Sequence, residues 1–152
     1  AGIIIYGLKP SAEVNFEDDK FIPAMTLKAR LSRVERVPKE TLVSYGGVFK
    51  TTKETIIGTI PIGYADGYTR LLTGKGQVLI KGEKKDILGK ICMDQCMVDL
   101  NGLEEVKKGD EVILIGGGKN GESADDIAEK LGTINYEVVC MISERVPRKY
   151  LK

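Results

Sequence analysis

The stretch GKICMDQCMVDL, residues 89–100, sets two cysteines four apart around a Met-Asp-Gln, and its reading decides whether the chain folds round a metal or round a sheet. A structural zinc site needs four nitrogen or sulfur ligands, usually in paired Cys-x2-4-Cys or histidine groups. The chain has three cysteines, Cys92, Cys96 and Cys140, and no histidine. Three cysteines with Asp94 fall short of that pattern, so no metal site is expected. The spacing permits a Cys92–Cys96 disulfide, yet three cysteines behind no leader composition read as reduced thiols in a cytosolic setting. The plainer reading is apolar strand residues, since free cysteine is among the most buried types. The stretch is then two short strands, 91–93 and 96–100, joined through Asp94-Gln95.

Strand patterns continue on both sides. From Ala24, "AMTLKARLSRVERV" alternates apolar Met25, Leu27, Ala29, Leu31 and Val34 with Lys28, Arg30 and Arg33, a long half-buried strand whose phase slips near Ser32 as at a bulge. "PKETLVSYGG" turns at Pro38-Lys39 and runs to a Gly-Gly break. "ETIIGTIPIG" is a buried strand, and "YADGYTRLL" is an Asp-Gly turn with at most one helical turn after it. "GQVLIKGEKKDILGK" reads as a hairpin through Gly82, and "DEVILIG" as a further strand. One helix is expected, "SADDIAEKLG", with Ser123 as N-cap, Asp125 and Asp126 in the first turn and Gly132 as stop. "INYEVVCMISERVPRKYL" reads as extended. Many short strands and one short helix predict a mainly β fold, a barrel or sandwich.

At 152 residues the chain is one domain, or one domain plus a fragment. It carries 23 basic and 22 acidic residues, a net charge of +1, which argues against a duplex-binding surface. Its longest apolar runs are far short of the roughly 20 residues a membrane-spanning helix needs, so no membrane is expected as a partner. "AGIIIYGL" enters at once into a continuous apolar run, the pattern of a buried parallel strand whose neighbours are absent. The expectation is the C-terminal part of something longer: a last strand over 1–10, a linker over 11–23 that includes the acidic "EVNFEDDKF", and a β-domain over 24–152.

Candidate chemistry is sparse. Gly116-x-Gly118-x-x-Gly121 formally matches a dinucleotide fingerprint. In that fold the helix starts inside the glycines, whereas here it starts at Ser123, and Asp125 and Asp126 would repel a phosphate. A plain turn is the better reading. The lysines sit in polar company and none advertises the desolvated setting of a Schiff-base lysine. Tyrosine is more informative. Tyr45 in "VSYGG", Tyr64 in "IGYADG" and Tyr136 in "TINYE" stand beside glycines or at turns, where a phenol reaches a cleft without burying its ring. As core residues they would merely cap the barrel. Without histidine, tyrosine is one of few proton-transfer candidates, and it needs nearby cations to act as a base at neutral pH.

"TLVSYGG", "TIPIGYADGY", "GKICMDQCMVDL", "DEVILIG" and "SADDIAEKLGTINYEVVCMISERVPR", in this order and spacing, resemble the C-terminal domain of bacterial alanine racemase, and "GIIIYGLKPS" resembles the last strand of that enzyme's preceding α/β barrel. The resemblance implies an alanine-racemase C-terminal-like β-barrel domain of a cytoplasmic homodimer that interconverts L- and D-alanine for peptidoglycan. It also implies pyridoxal phosphate as cofactor, held on a lysine outside this chain, so that the fragment alone is inactive. Tyr45 matches the catalytic tyrosine, which takes the α-proton of L-alanine in the other subunit while the lysine serves the opposite face. Met93 matches the residue that binds the substrate carboxylate. A thioether is a poor partner for an anion, so the expected donor is its backbone N–H. Tyr136, Gly2 and Ile3 match cofactor-phosphate contacts. Tyr64, Arg70 and Ile134 match the substrate channel, as does Lys90, where many relatives carry arginine and its bidentate fork. Two alternatives stay open: a serine racemase relative, and a non-enzymatic β-barrel module that binds protein or nucleic acid. With aromatics at only 6%, stacking platforms for the latter are scarce.

Overall fold

The computed structural model of the chain describes residues 2–11, 13 and 21–151. Among these residues nine strands form: β1 Leu27–Arg30, β2 Arg33–Val37, β3 Leu42–Val43, β4 Phe49–Lys50, β5 Thr55–Ile60, β6 Gln77–Ile80, β7 Glu83–Leu88, β8 Cys96–Asp99 and β9 Glu111–Ile115. Seven make one antiparallel sheet in the order β1-β9-β6-β7-β8-β5-β2, and β3 pairs with β4 in a small hairpin. The Lys81-Gly82 turn between β6 and β7 has positive φ at both residues, 50° and 84°, which matches the twist of a two-residue hairpin.

The sheet's two ends, β1 and β2, are consecutive in the chain. The long strand expected from Ala24 is therefore broken, and its phase slip is a change of partner rather than a bulge. Leu31 N–H donates to Asp110 O (3.0 Å) beyond β1, and Ser32 N–H donates to Thr59 O (2.9 Å) on β5. This corner curls the sheet round a core that includes Leu31, Ile60, Val78, Ile80, Val98, Leu100, Val112 and Leu114. Gly58 on β5 makes room for it. A Cβ there would stand 2.8 Å from Leu31 Cδ2 and 2.9 Å from Leu100 Cδ1. Full burial of one such aliphatic side chain contributes about 1.5–3 kcal/mol.

The expected helix is α1, Ala124–Leu131, closed at its start by a reciprocal box in which Asp126 N–H donates to Ser123 Oγ (3.0 Å) and Ser123 N–H to Asp126 Oδ2 (2.8 Å). Gly132 ends it in the left-handed region, and Thr133 N–H returns to Ala128 O (3.0 Å). A second helix, α2, spans Asn135–Met141, where extended structure was expected. Val138 and Val139 favour strands locally, but burial of Val138 and Asn135 against α1 outweighs that preference. Asn135 Nδ2 donates to Asp125 Oδ1 (2.7 Å) and to Lys9 O (2.8 Å).

Two more expectations give way. Residues 3–6 form a 3-10 turn, Ile3–Tyr6, not a strand. Among the described residues no strand lies beside it, so its amides close locally, Ile5 N–H on Gly2 O (3.0 Å) and Gly7 N–H on Ile4 O (2.9 Å). Ile3 and Leu8 join the core, and Ala24 N–H reaches Tyr6 O (2.9 Å). Most of the acidic linker lies outside the described residues. Residues 91–93 are also no strand, because Cys92 N–H turns back to Gln95 O (2.9 Å) and the carbonyls of Cys92 and Met93 are taken by another loop.

Candidate active site

Three loops meet at one end of the sheet around a recess of about 430 Å³, lined by Tyr45, Tyr64, Arg70 and residues 90–95. The first loop follows β3. Ser44 has φ 66°, and Tyr45–Gly47 make a 3-10 turn with Gly46 at φ 75°. A non-glycine residue in the left-handed region costs about 1–3 kcal/mol, so the surroundings must hold it there. Ser44 Oγ donates to Lys90 O (2.7 Å) and lies 3.7 Å from Cys92 Sγ. Gly89 permits the approach, since a Cβ on it would meet Ser44 Cβ at 2.7 Å. Tyr45 stands 74% exposed at the lip.

The second loop is Gly63–Tyr68. Tyr64 N–H donates to Cys92 O and Ala65 N–H to Met93 O, both at 3.0 Å. Gly63 packs so closely that a Cβ would fall 2.2 Å from Cys92 O. The buried Asp66 carboxylate accepts from Gly63 N–H (2.9 Å) and pins the turn. Arg70 follows on a 3-10 turn, Arg70–Leu72, capped by Thr69. Below it, Ile91 N–H donates to Thr73 Oγ1 (3.3 Å).

The third loop, 90–95, carries the polar floor. Met93 N–H has no acceptor among the described residues. Arg70 and Lys90 have no ion pair and no side-chain hydrogen bond among them either. Lys90 Nζ lies 3.5 Å from where a Cβ on Gly46 would sit, beside the tyrosine turn. Asp94 is the recess's acid, and Arg145 Nη2 binds it at 2.7 Å. The recess therefore offers two uncompensated cations and an amide to an anion. Cys92 and Cys96 are both buried and free, and burial, with Cys92 nearby, pushes the Cys96 thiol up to about 12. Cys96 stays a thiol and packs inward from β8.

Of the residues singled out from sequence, Tyr45, Tyr64, Arg70, Lys90 and Met93 come together here. Tyr136, Ile134, Gly2 and Ile3 do not line the recess. Tyr136 sits on the first turn of α2 and is 37% exposed, Ile134 is exposed at that helix's cap, Gly2 is exposed, and Ile3 is buried. Sequence reasoning missed Ser44, Asp66, Asp94 as an ion-pair partner and Arg145. The Gly63-x-x-Asp66 spacing carries a local signal for the pinned turn, and nothing local marks Arg145.

The fold and recess define a curled β-domain that presents a small anion-attracting site at one end of its sheet. The sequence profile described as "Alanine racemase, C-terminal domain" matches residues 24–150. The alanine racemases of Desulfovibrio desulfuricans and Clostridium novyi are 55% and 54% identical to the chain over 100% and 99% of its length. The solved alanine racemase of Clostridium difficile 630 in complex with cycloserine superimposes with a TM-score of 0.90 at 49% identity, covering 95% of the chain and 38% of that protein. The Bacillus anthracis alanine racemase with bound L-Ala-P gives 0.91 at 42% identity, covering 99% and 39%. The chain belongs to the alanine racemase C-terminal domain family. It spans about 40% of the length of the curated relatives it matches.

Proposed function

We propose that the chain works as the C-terminal domain of a pyridoxal-phosphate-dependent alanine racemase, a cytoplasmic homodimer interconverting L- and D-alanine for peptidoglycan. In this reading residues 1–10 end a preceding barrel and 11–23 lead into the β-domain. The observation that carries it is the recess itself: a phenol, two unpaired cations and an unpaired amide converge where an amino acid's carboxylate and α-hydrogen can meet them.

The donors present fit the cofactor. Its phosphate needs hydrogen-bond donors, and the chain offers the exposed Tyr136 phenol and the Ile3 N–H, which has no acceptor among the described residues. Bound pyridoxal phosphate supplies an electron sink for the pair left at the α-carbon when its proton departs. Met93 N–H holds the substrate carboxylate, and Arg70 and Lys90 draw it in. Tyr45 Oη takes the α-proton on one face and returns it when the reaction runs backwards. Racemisation needs a second base on the opposite face, which this reading places on the cofactor lysine outside the chain.

The test is racemisation of L-alanine by the full-length parent with added pyridoxal phosphate. Tyr45→Phe should lower kcat by about 10²–10⁴-fold, the usual span for a positioned acid–base group. A parent that takes up no cofactor and leaves alanine untouched would overturn the reading.

A further inference from the structure

After α2 the chain packs against the Gly63–Tyr68 loop. Gly67 packs so tightly on it that a Cβ would lie 2.1 Å from Met141 O, and Ser143 N–H donates to Asp66 O (3.1 Å). This packing brings one guanidinium between two loops. Arg145 Nη2 bonds Asp94 Oδ1 at 2.7 Å, and its Nε lies 3.5 Å from Asp66 Oδ1. Asp66 pins the loop that carries Tyr64, and Asp94 directly follows Met93. The two loops are already stitched by Tyr64 N–H to Cys92 O and Ala65 N–H to Met93 O. Those bonds fix the carbonyls of the Cys92-Met93 pair, and Cys92 N–H to Gln95 O closes the loop on itself, while the Asp94 side chain is its tie to the chain after α2. Arg145 holds that carboxylate from outside the loop.

We propose that Arg145 is a positioning residue for the substrate carboxylate: by bridging Asp94 and Asp66 it holds loop 90–95 so that Met93 N–H faces the recess. Arg145 touches neither substrate nor reacting atoms in this arrangement. Its planar fork reaches two carboxylates on separate loops at once, which a lysine's point charge does less well. The proposal rests on the racemase reading for the identity of the anion, and on the geometry alone for the clamp.

Two readouts on the full-length protein test it. The first, amide hydrogen exchange, is independent of activity. In Arg145→Gln, the hydrogen-bonded amides of Tyr64, Ala65 and Cys92 should exchange about tenfold faster, with those of the β6–β7 hairpin unchanged. The second is kinetic. Loss of an interaction that binds ground and transition states alike raises KM and leaves kcat in place, so Arg145→Gln should raise KM for alanine about tenfold, opposite in kind to Tyr45→Phe. Arg145→Lys should recover part of the loss, and Asp94→Asn, an exposed change that spares the fold, should reproduce most of the KM effect. Unchanged exchange in Arg145→Gln overturns the clamp. Faster exchange with unaltered KM overturns the positioning role and leaves a structural tie. A parent without racemase activity overturns the functional reading and the carboxylate role with it, while the exchange result still decides the clamp.

Discussion

Ser44 holds a backbone angle that its own Cβ disfavours, one residue ahead of the exposed phenol. Two substitutions separate the strain from the bond that contains it. Ser44→Ala keeps the unfavourable φ and loses the hydrogen bond to Lys90 O, and should cost about 1–2 kcal/mol in a urea titration. Ser44→Gly loses the same bond but adopts φ 66° freely, so it should cost less than the alanine variant. In the full-length parent, both should reduce kcat more than they raise KM, since the tyrosine turn is what moves. Tyr45 and Tyr64 were legible as turn tyrosines beside glycines, and Met93, Arg70 and Lys90 through the ordered motifs. Ser44 and Arg145 were not. Each acts across a contact between segments far apart in the chain, and one-dimensional spacing carries no trace of that.

At the scale of elements, α1 was readable and α2 was not. The first announces itself through Ser123, the acidic first turn and Gly132, all of them local signals. The second has Ile134 at its cap with no side-chain bond, and its Val-Val pair imitates a strand. What holds it is Asn135, whose partners Asp125 and Lys9 lie on other elements. The α1 box also has a signature in acid. Burial pushes the Asp126 carboxyl up, but the N–H and hydroxyl of Ser123, with Lys84 and Lys130 nearby, outweigh it and hold the group below its ordinary range. A carboxylate lowered on folding stabilises the protein above its unfolded pKa, near 4, and that contribution disappears as pH falls through the folded value. Wild type should therefore exceed Asp126→Asn in urea midpoint at pH 7, and the gap should narrow below about pH 4. A gap that is constant from pH 7 to pH 3 would show that the box stabilises without its charge.

For the molecule as a whole, strand content and a barrel-like class were legible because alternation is a local property of each segment. The order of strands was not, since partner choice depends on where the chain travels next. The run at 3–6 misled for the same reason: three consecutive isoleucines look like a strand, but a strand needs a neighbour. Ile5, Ile22, Leu42, Leu71 and Ile134 are each more than half exposed. Apolar side chains gathered into a patch mark contact with other protein, and the racemase reading gives these a barrel to face. The domain without a barrel should self-associate, and sedimentation velocity across a concentration series checks this. A single monomeric species at high concentration would count against it.

The corner at Leu31-Ser32 has a bearing on the order in which the protein comes into being. Within this domain β1 is the first of the described strands to be made, and its partner β9 is the last of them. Until 111–115 emerges, β1 has nothing to pair with and β6 presents the bare edge that β9 will cover. Closure waits on contacts between distant parts of the chain, which places the domain among slow-folding topologies. A message cut short before that point would yield a product with β1 unpaired and the β6 edge bare, a form prone to pair with its own copies. One late strand thus covers an edge of each of two neighbours, β1 and β6, that were made long before it.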